Sequence, residues 1–379
     1  MKHIGSIFIV LILQVCCQKM NATTLPLFEN NTGGYTCYRI PAIIKSPQGN
    51  LLAFAEGRRA SCNDFGDVDI LLRISYDGGV NWSNPRVVAE NGNLQAGNPA
   101  PVVDFFDPRY PEGRIFLFYN LGNASENEIR QGKGKREVAY ISSTDEGKSW
   151  TRPTIISNQV HFNANNTHSF KDWRTHANTP GHAIQLKRSR FKGRIYIPAN
   201  HSIGDPQEGF NEYRAYGFYS DDHAKTWSVS SDINIPSSNE AIGVELPNGD
   251  LMLNIREQNG KSKKRLVALS SDGGTSWKEL FFDAQLITPV CQSSILLIEF
   301  KNKNVLVYSG PNSTYKREKM TLKFSMDSGR SWTKEKEIYS GGAAYSDLVQ
   351  INADSMGIFY EKDFNQLVFE MYSFQELLQ

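Results

Sequence analysis

Cysteine is scarce in this chain, with five in 379 residues, and neither charge dominates, with 41 basic against 40 acidic side chains. A net charge of +1 excludes the broad positive field on which nucleic-acid binding rests, so a charged ligand has to be met by a local cluster. No CxxC pair is present, which removes zinc ribbons and redox dithiols, and no metal is expected. No glycine-rich phosphate or dinucleotide fingerprint occurs either, so no cofactor is expected. Long helical periodicity is absent as well. Aromatic and aliphatic residues nevertheless run throughout, at 11% and within a 40% hydrophobic total, which excludes a disordered chain.

The apolar run from Ile4 to Val15 follows Lys2 and His3 and is too short to cross a bilayer, but it suits the core of a secretory signal. Residues 1–20 therefore read as a signal peptide and 21–379 as the mature domain, secreted or held in the periplasm, the lysosome or at the cell surface. No later run offers a transmembrane span. Cys16 and Cys17 would leave with the signal or serve as a lipid site, although Leu13-Gln14-Val15 lacks the small residue usual before a lipidated cysteine. Cys37, Cys62 and Cys291 remain, an odd number with room for one bridge and one buried thiol. Glycosylation sequons stand at Asn21, Asn30, Asn81, Asn123, Asn165, Asn200 and Asn312.

Repetition is the strongest signal in the chain. Ser-x-Asp-x-Gly-x-x-Trp occurs at Ser75–Trp82, Ser143–Trp150, Ser270–Trp277 and Ser325–Trp332, and a fifth copy, Ser220–Trp227, has Ala224 in place of the glycine. Five of the six tryptophans thus occupy one position of one motif. Upstream of each copy lies an apolar run entered by a turn residue: Gly49–Glu56, Gly113–Asn120, Gly193–Asn200, Gly249–Arg256 and Lys303–Gly310. A sixth run, Gly357–Glu361, is followed by a strand candidate at Gln366–Phe374 without a motif.

Short β-rich runs bounded by Gly, Asn and Asp read as strands, and six such units fit an all-β fold, a six-bladed β-propeller. Within the motif, Asp accepts backbone hydrogen bonds, Gly takes positive φ, Ser braces the turn and Trp plugs the gap between neighbouring sheets. This is a structural device with no catalytic role. Equivalent strands end on one face, where Glu56 with Arg58, Asn120, Asn200, Arg256 and Glu361 should emerge. In this expectation the runs are the innermost strands.

Tyr38-Arg39-Ile40-Pro41 followed by these repeats, known as Asp boxes, resembles the sialidase (neuraminidase) family of secreted and bacterial type. Further stretches agree across almost the whole mature chain: Ala55-Glu56-Gly57-Arg58, Asp64-Phe65-Gly66-Asp67, Asn98-Pro99-Ala100-Pro101, Pro180–Leu186, Asn239-Glu240 and Tyr345-Ser346-Asp347-Leu348. The departures are Ala224 in one box and the missing box of the last unit. The resemblance implies a six-bladed propeller and a retaining exo-α-sialidase acting on sialylated glycoproteins, glycolipids and oligosaccharides.

By that resemblance Arg39, Arg256 and Arg317 clamp the carboxylate of sialic acid, a task for which the planar, permanently charged guanidinium is suited. Tyr345 is the nucleophile and Glu240 the base that takes its proton. A neutral phenol avoids the repulsion that a carboxylate nucleophile would meet at a carboxylate-bearing anomeric carbon, and sialidases depart in this way from the two-carboxylate scheme. Asp64 is the general acid, Arg58 and Asn98 touch the sugar, and Glu361 orients Arg39. Several residues compete for these roles. Glu245 lies near Glu240, Lys316 and Lys319 flank Arg317, and Asp64-x-x-Asp67-x-Asp69 also reads as a weak metal site without the glycine of a calcium loop. His161, His168, His176 and His182 are spaced too irregularly for a ligand set and read as loop histidines. Two rivals share the scaffold: a trans-sialidase, and a propeller that binds glycans without catalysis.

Overall fold

The computed structural model describes residues 24–162 and 172–378. Residues 1–20, read above as a signal peptide, with Cys16 and Cys17, the sequons at Asn21 and Asn165, and His168 lie outside them. Among the described residues no helix is long and apolar enough to cross a membrane.

The fold is all-β, in four hydrogen-bonded sheets of seven, five, four and eight strands. These divide into antiparallel meanders. Their second strands are Leu51–Arg58, Arg114–Gly122, Ile195–Ile203, Leu251–Glu257, Lys303–Pro311 and Ser355–Lys362, which coincide with the six apolar runs of the sequence. The 8-stranded sheet joins two meanders through a single parallel pair, Val68 with Gln95. The 7-stranded one joins two through the long strand Lys334–Gln350, whose first half pairs with Glu318–Ser325 and second half with Ser355–Lys362. The strand Leu25–Glu29 pairs with Gln366–Ser373 and so fastens the two ends of the described chain together.

One expectation is corrected here. The apolar runs are the second strands of their meanders; it is the first strands, such as Cys37–Lys45, Gln95–Asp104, Ser238–Glu245 and Ser294–Phe300, that touch one another from meander to meander. The second strands keep an unbroken apolar pattern because neighbours cover both faces, whereas the first strands are interrupted by register shifts that break their periodicity.

The boxes behave as their composition requires. At Ser325–Trp332, Ser325 Oγ donates to Asp327 Oδ1 (2.8 Å) and accepts from Gly329 N (2.8 Å), while Asp327 accepts from Ser331 N (2.9 Å) and Ser331 Oγ (2.7 Å). Gly329 sits at φ 85°, and Ala224 is held at 67° in the fifth copy, a conformation that costs a residue with a Cβ. Box tryptophans reach aromatic rings of the preceding meander: Trp227 lies 5.2 Å from Phe118, Trp150 6.1 Å from Phe54, and Trp82 5.2 Å from Phe369. Edge-to-face packing of this kind fills the wedge between two twisted sheets.

Hydrogen bonds from Ser331 outweigh the smaller effect of burial and hold the Asp327 carboxyl at about 2. A carboxyl depressed in the folded state contributes stability above its ordinary value near 3.8, and that contribution fades as pH falls toward 2. Asp327→Asn is therefore expected to lower Tm measured at pH 6 and to converge on the wild type near pH 2. Equal Tm deficits at both values would show that the carboxylate charge is not what the box uses.

Candidate active site

Two sets of residues converge on one cavity of about 200 Å³. The ends of second strands bring Glu56, Arg58, Asn120, Asn200 and Arg256 to it, and Glu361 stands just behind. The first strands supply Arg39, Asn98, Glu240 and Tyr345, each at a register shift: between Arg39 and Ala42, Gly97 and Ala100, Ser238 and Ala241, and Ala343 and Ser346. A shift inserts backbone that no partner residue matches, which bends the strand and turns side chains off the pleat toward the cavity. Ile40 is held at φ 61°, an outlier for a β-branched residue, and its N–H donates to Glu361 Oε1 at 3.0 Å. Asn98 is likewise at φ 56°, its N–H donating to Glu56 Oε1 at 2.7 Å.

Tyr345 lies at the centre of the constellation, 6% exposed. Its hydroxyl donates to Glu240 Oε1 at 2.6 Å, and one Arg256 nitrogen donates both to Glu240 Oε2 (2.5 Å) and to Tyr345 Oη (2.9 Å). Burial and the Glu240 charge push the phenol well above its ordinary value, while Arg256, Arg317 and Arg39 act in the opposite sense. The resting tyrosine is thus neutral and can lose its proton only as it forms a bond, to the carboxylate already hydrogen-bonded to it.

Three guanidiniums surround the ring. Arg39 and Arg317 lie 5.2 and 5.7 Å from its centroid, and Arg256 touches the hydroxyl. Arg39 is forked onto Glu361 at 3.1 and 3.0 Å, which outweighs burial and keeps the guanidinium charged. Arg317 is fixed by Val290 O, which accepts from Nε (3.2 Å) and from one terminal nitrogen (2.9 Å). Among the described residues Arg256 Nε is buried and has no hydrogen-bond partner.

Asp64 approaches from a loop between two strands, its side chain 80% exposed. Arg58 donates to its Oδ1 at 2.8 Å and Arg39 is 3.7 Å away. The charges of Arg58 and Arg39 hold the Asp64 carboxyl below its ordinary value. Arg58 is itself anchored by Glu56 at 2.7 Å.

The competing residues are placed elsewhere. Glu245 accepts the backbone N–H groups of Lys187, Arg188 and Ser189, at the far end of its strand from Glu240. Asp67 and Asp69 pair with Arg59, so the Asp64 run does not gather as a ligand set. Lys316 and Lys319 do not line the cavity, whereas Arg317 does. Of the histidines, His176 departs from the loop reading: it lies in the strand Trp173–Asn178, fully buried, its Nδ1 3.1 Å from Asn120 Nδ2. Burial holds it well below the ordinary value, so it is a neutral part of the floor. His161 and His182 do lie in loops, both buried. A larger cavity of about 590 Å³ near Asp250 and Lys278 contains no comparable pairing of nucleophile and base.

Sequence reasoning missed the wall formed by Glu126, Arg136 and Tyr213. Arg136 pairs with Glu126 at 2.6 Å, and Tyr213 donates to the same carboxylate. The signal was present, since Ser125-x-x-Glu128 is a capping box that starts the short helix Glu126–Arg130. Gln95 was also missed; it donates to Asp64 O at 2.7 Å.

The BNR repeat-like domain family matches residues 49–359. The sialidase of Micromonospora viridifaciens is 30% identical over 361 residues, covering 89% of this chain and 52% of its own, so the chain spans about half the length of that relative. Among solved structures, the Hadza microbial sialidase Hz136 superposes with a TM-score of 0.78 at 24% identity, over 91% of this chain and 67% of that one. A leech intramolecular trans-sialidase follows at 0.75 and 19%, over 94% and 71%. With these repeats and this coverage, the chain belongs to the BNR repeat-like domain family.

Proposed function

We propose that the protein is a retaining exo-α-sialidase that removes terminal α-linked sialic acid from glycoproteins, glycolipids and oligosaccharides. The observation that carries this reading is the buried Tyr345 hydroxyl donating to Glu240 at 2.6 Å among three arginines. In this reading Arg39, Arg256 and Arg317 hold the substrate carboxylate. Tyr345 Oη attacks the anomeric carbon as its proton passes to Glu240, and Asp64 gives its proton to the leaving oxygen. Asp64 then takes a proton from water, which displaces Tyr345 from the opposite face, and Glu240 returns the phenol proton. Two inversions give retention. Arg58 and Asn98 contact the sugar, and Glu361 aims Arg39.

The six meanders, whose first strands touch in succession, support closure into six blades with the site at one end of the axis. The Cys37–Cys62 bridge supports action in an oxidising compartment, in keeping with 1–20 as a secretory signal and 21–379 as the mature domain. A second reading, transfer to another sugar, is favoured by Tyr315, 85% exposed in the loop that delivers Arg317, where an aromatic face suits an acceptor sugar.

The test is turnover of an aryl α-sialoside and of 3′-sialyllactose, with and without added lactose. Free sialic acid as the product is expected, with kcat/KM on sialyllactose falling as pH rises, because the free enzyme holds Asp64 ionised down to low pH. Sialyllactose formed from the aryl donor would move the reading to transfer, and a folded protein inert on both donors would leave a glycan-binding module.

A further inference from the structure

Asp64, like Arg317, has no strand beneath it. It stands in residues 59–67, between the strands Leu51–Arg58 and Val68–Ser75, and most of its side chain is exposed. Beyond the neck, closed by Arg59 N donating to Asp67 O at 3.0 Å, few tethers hold the tip. Arg58 donates to Cys62 O at 2.6 Å and to Asp64 Oδ1 at 2.8 Å, Gln95 donates to Asp64 O at 2.7 Å, Arg39 lies 3.7 Å from the same Oδ1, and one further tether is covalent. Cys62 is bonded to Cys37, two residues before Arg39 on the strand Cys37–Lys45. Both cysteines line a small second cavity that also has Arg39 and Arg317 in its wall, so the bridge is continuous with the carboxylate clamp. Cys62 is exposed and Cys37 buried, which leaves one sulfur open to attack.

We propose that the Cys37–Cys62 bridge is a positioning element for the general acid, locking the Asp64 loop to the strand that carries Arg39. The inference rests on the reading of Asp64 given above. An external dithiol supplies two electrons and two protons: the bond between the sulfurs breaks, Cys37 and Cys62 become thiols, and the reagent leaves as its own disulfide. Arg39 and Tyr345 stay where they are, because strands hold them. Both tasks of Asp64 are then weakened, proton delivery to the leaving oxygen in the first half and proton removal from water in the second.

Leaving groups separate this from general damage. A sugar leaving group needs the proton, whereas an activated phenolate departs without it. The folded protein is reduced with a dithiol, the loss of the bridge is verified by thiol alkylation and mass, and both substrates are assayed, beside a Cys37→Ala/Cys62→Ala variant. Reduction is expected to lower kcat/KM, which reports only the steps up to departure of the leaving group, by about tenfold or more on 3′-sialyllactose, within the range of general-acid contributions, and by less than about twofold on the aryl sialoside. Reoxidation restores the loss, and Asp64→Asn is insensitive to reduction. Equal loss on both substrates, or none on either once the thiols are counted, overturns the proposal. If the oxidised protein turns over neither substrate, the sialidase reading itself fails and the proposal falls with it. If it turns over both and their ratio ignores the bridge, only the proposal fails.

Discussion

Tyr345→Phe is expected to lower kcat on any α-sialoside by at least about 10³-fold, or about 4 kcal/mol of barrier, with little change in KM or Tm. The substitution removes one oxygen and no volume from a buried ring, and the three guanidiniums that bind substrate do not depend on that oxygen for their main anchors. Arg39 rests on Glu361 and Arg317 on Val290 O. Glu240→Gln is expected to cost about 10²- to 10⁴-fold by removing the base, as loss of general acid–base catalysis does. The double variant should be little worse than Tyr345→Phe, since a base without its nucleophile has no proton to take. Steady-state kinetics on one aryl α-sialoside checks all three, and additive losses would mean that Tyr345 and Glu240 do not act as a unit.

Arg256→Lys carries the second large effect, and it falls on both kinetic constants. A single guanidinium nitrogen bridges Glu240 and Tyr345. An ammonium keeps the charge but cannot fork, so it can satisfy the pair or the ligand carboxylate and not both. KM is expected to rise about tenfold and kcat to fall about 10²-fold, with Arg256→Ala worse because Glu240 then loses its buried ion-pair partner. A lysine variant with wild-type KM would place the carboxylate elsewhere in the cavity.

Much of this was legible from particular residues. The box tryptophans and glycines marked the turns because plugging a wedge and taking positive φ each demand one residue type. The apolar runs marked the second strands because those are covered on both faces. Their ends led to Glu56, Arg58, Asn120, Asn200 and Arg256 by topology alone, and the family resemblance added Arg39, Asp64, Glu240, Arg317 and Tyr345. The register shifts that turn Arg39, Asn98, Glu240 and Tyr345 inward were hidden, because an extra residue in a strand has no composition of its own. The pairing of Cys37 with Cys62 was equally out of reach, since three mature cysteines allow three pairings and only the fold brings these two Cα atoms within 5.2 Å. The wall of Glu126, Arg136 and Tyr213 joins a short helix to two strands; the capping box at Ser125 announces the helix but not the ion pair made across it.

The account turns on a covalent bond to a phenol. The most direct measurement is peptide mass spectrometry of the protein after exposure to a 3-fluorosialosyl fluoride, whose ring fluorine slows breakdown of the glycosyl-enzyme. The prediction is a fluorosialosyl adduct on Tyr345, absent from Tyr345→Phe. An adduct on Glu240 or Asp64, or unmodified protein while the same reagent is turned over, would contradict it.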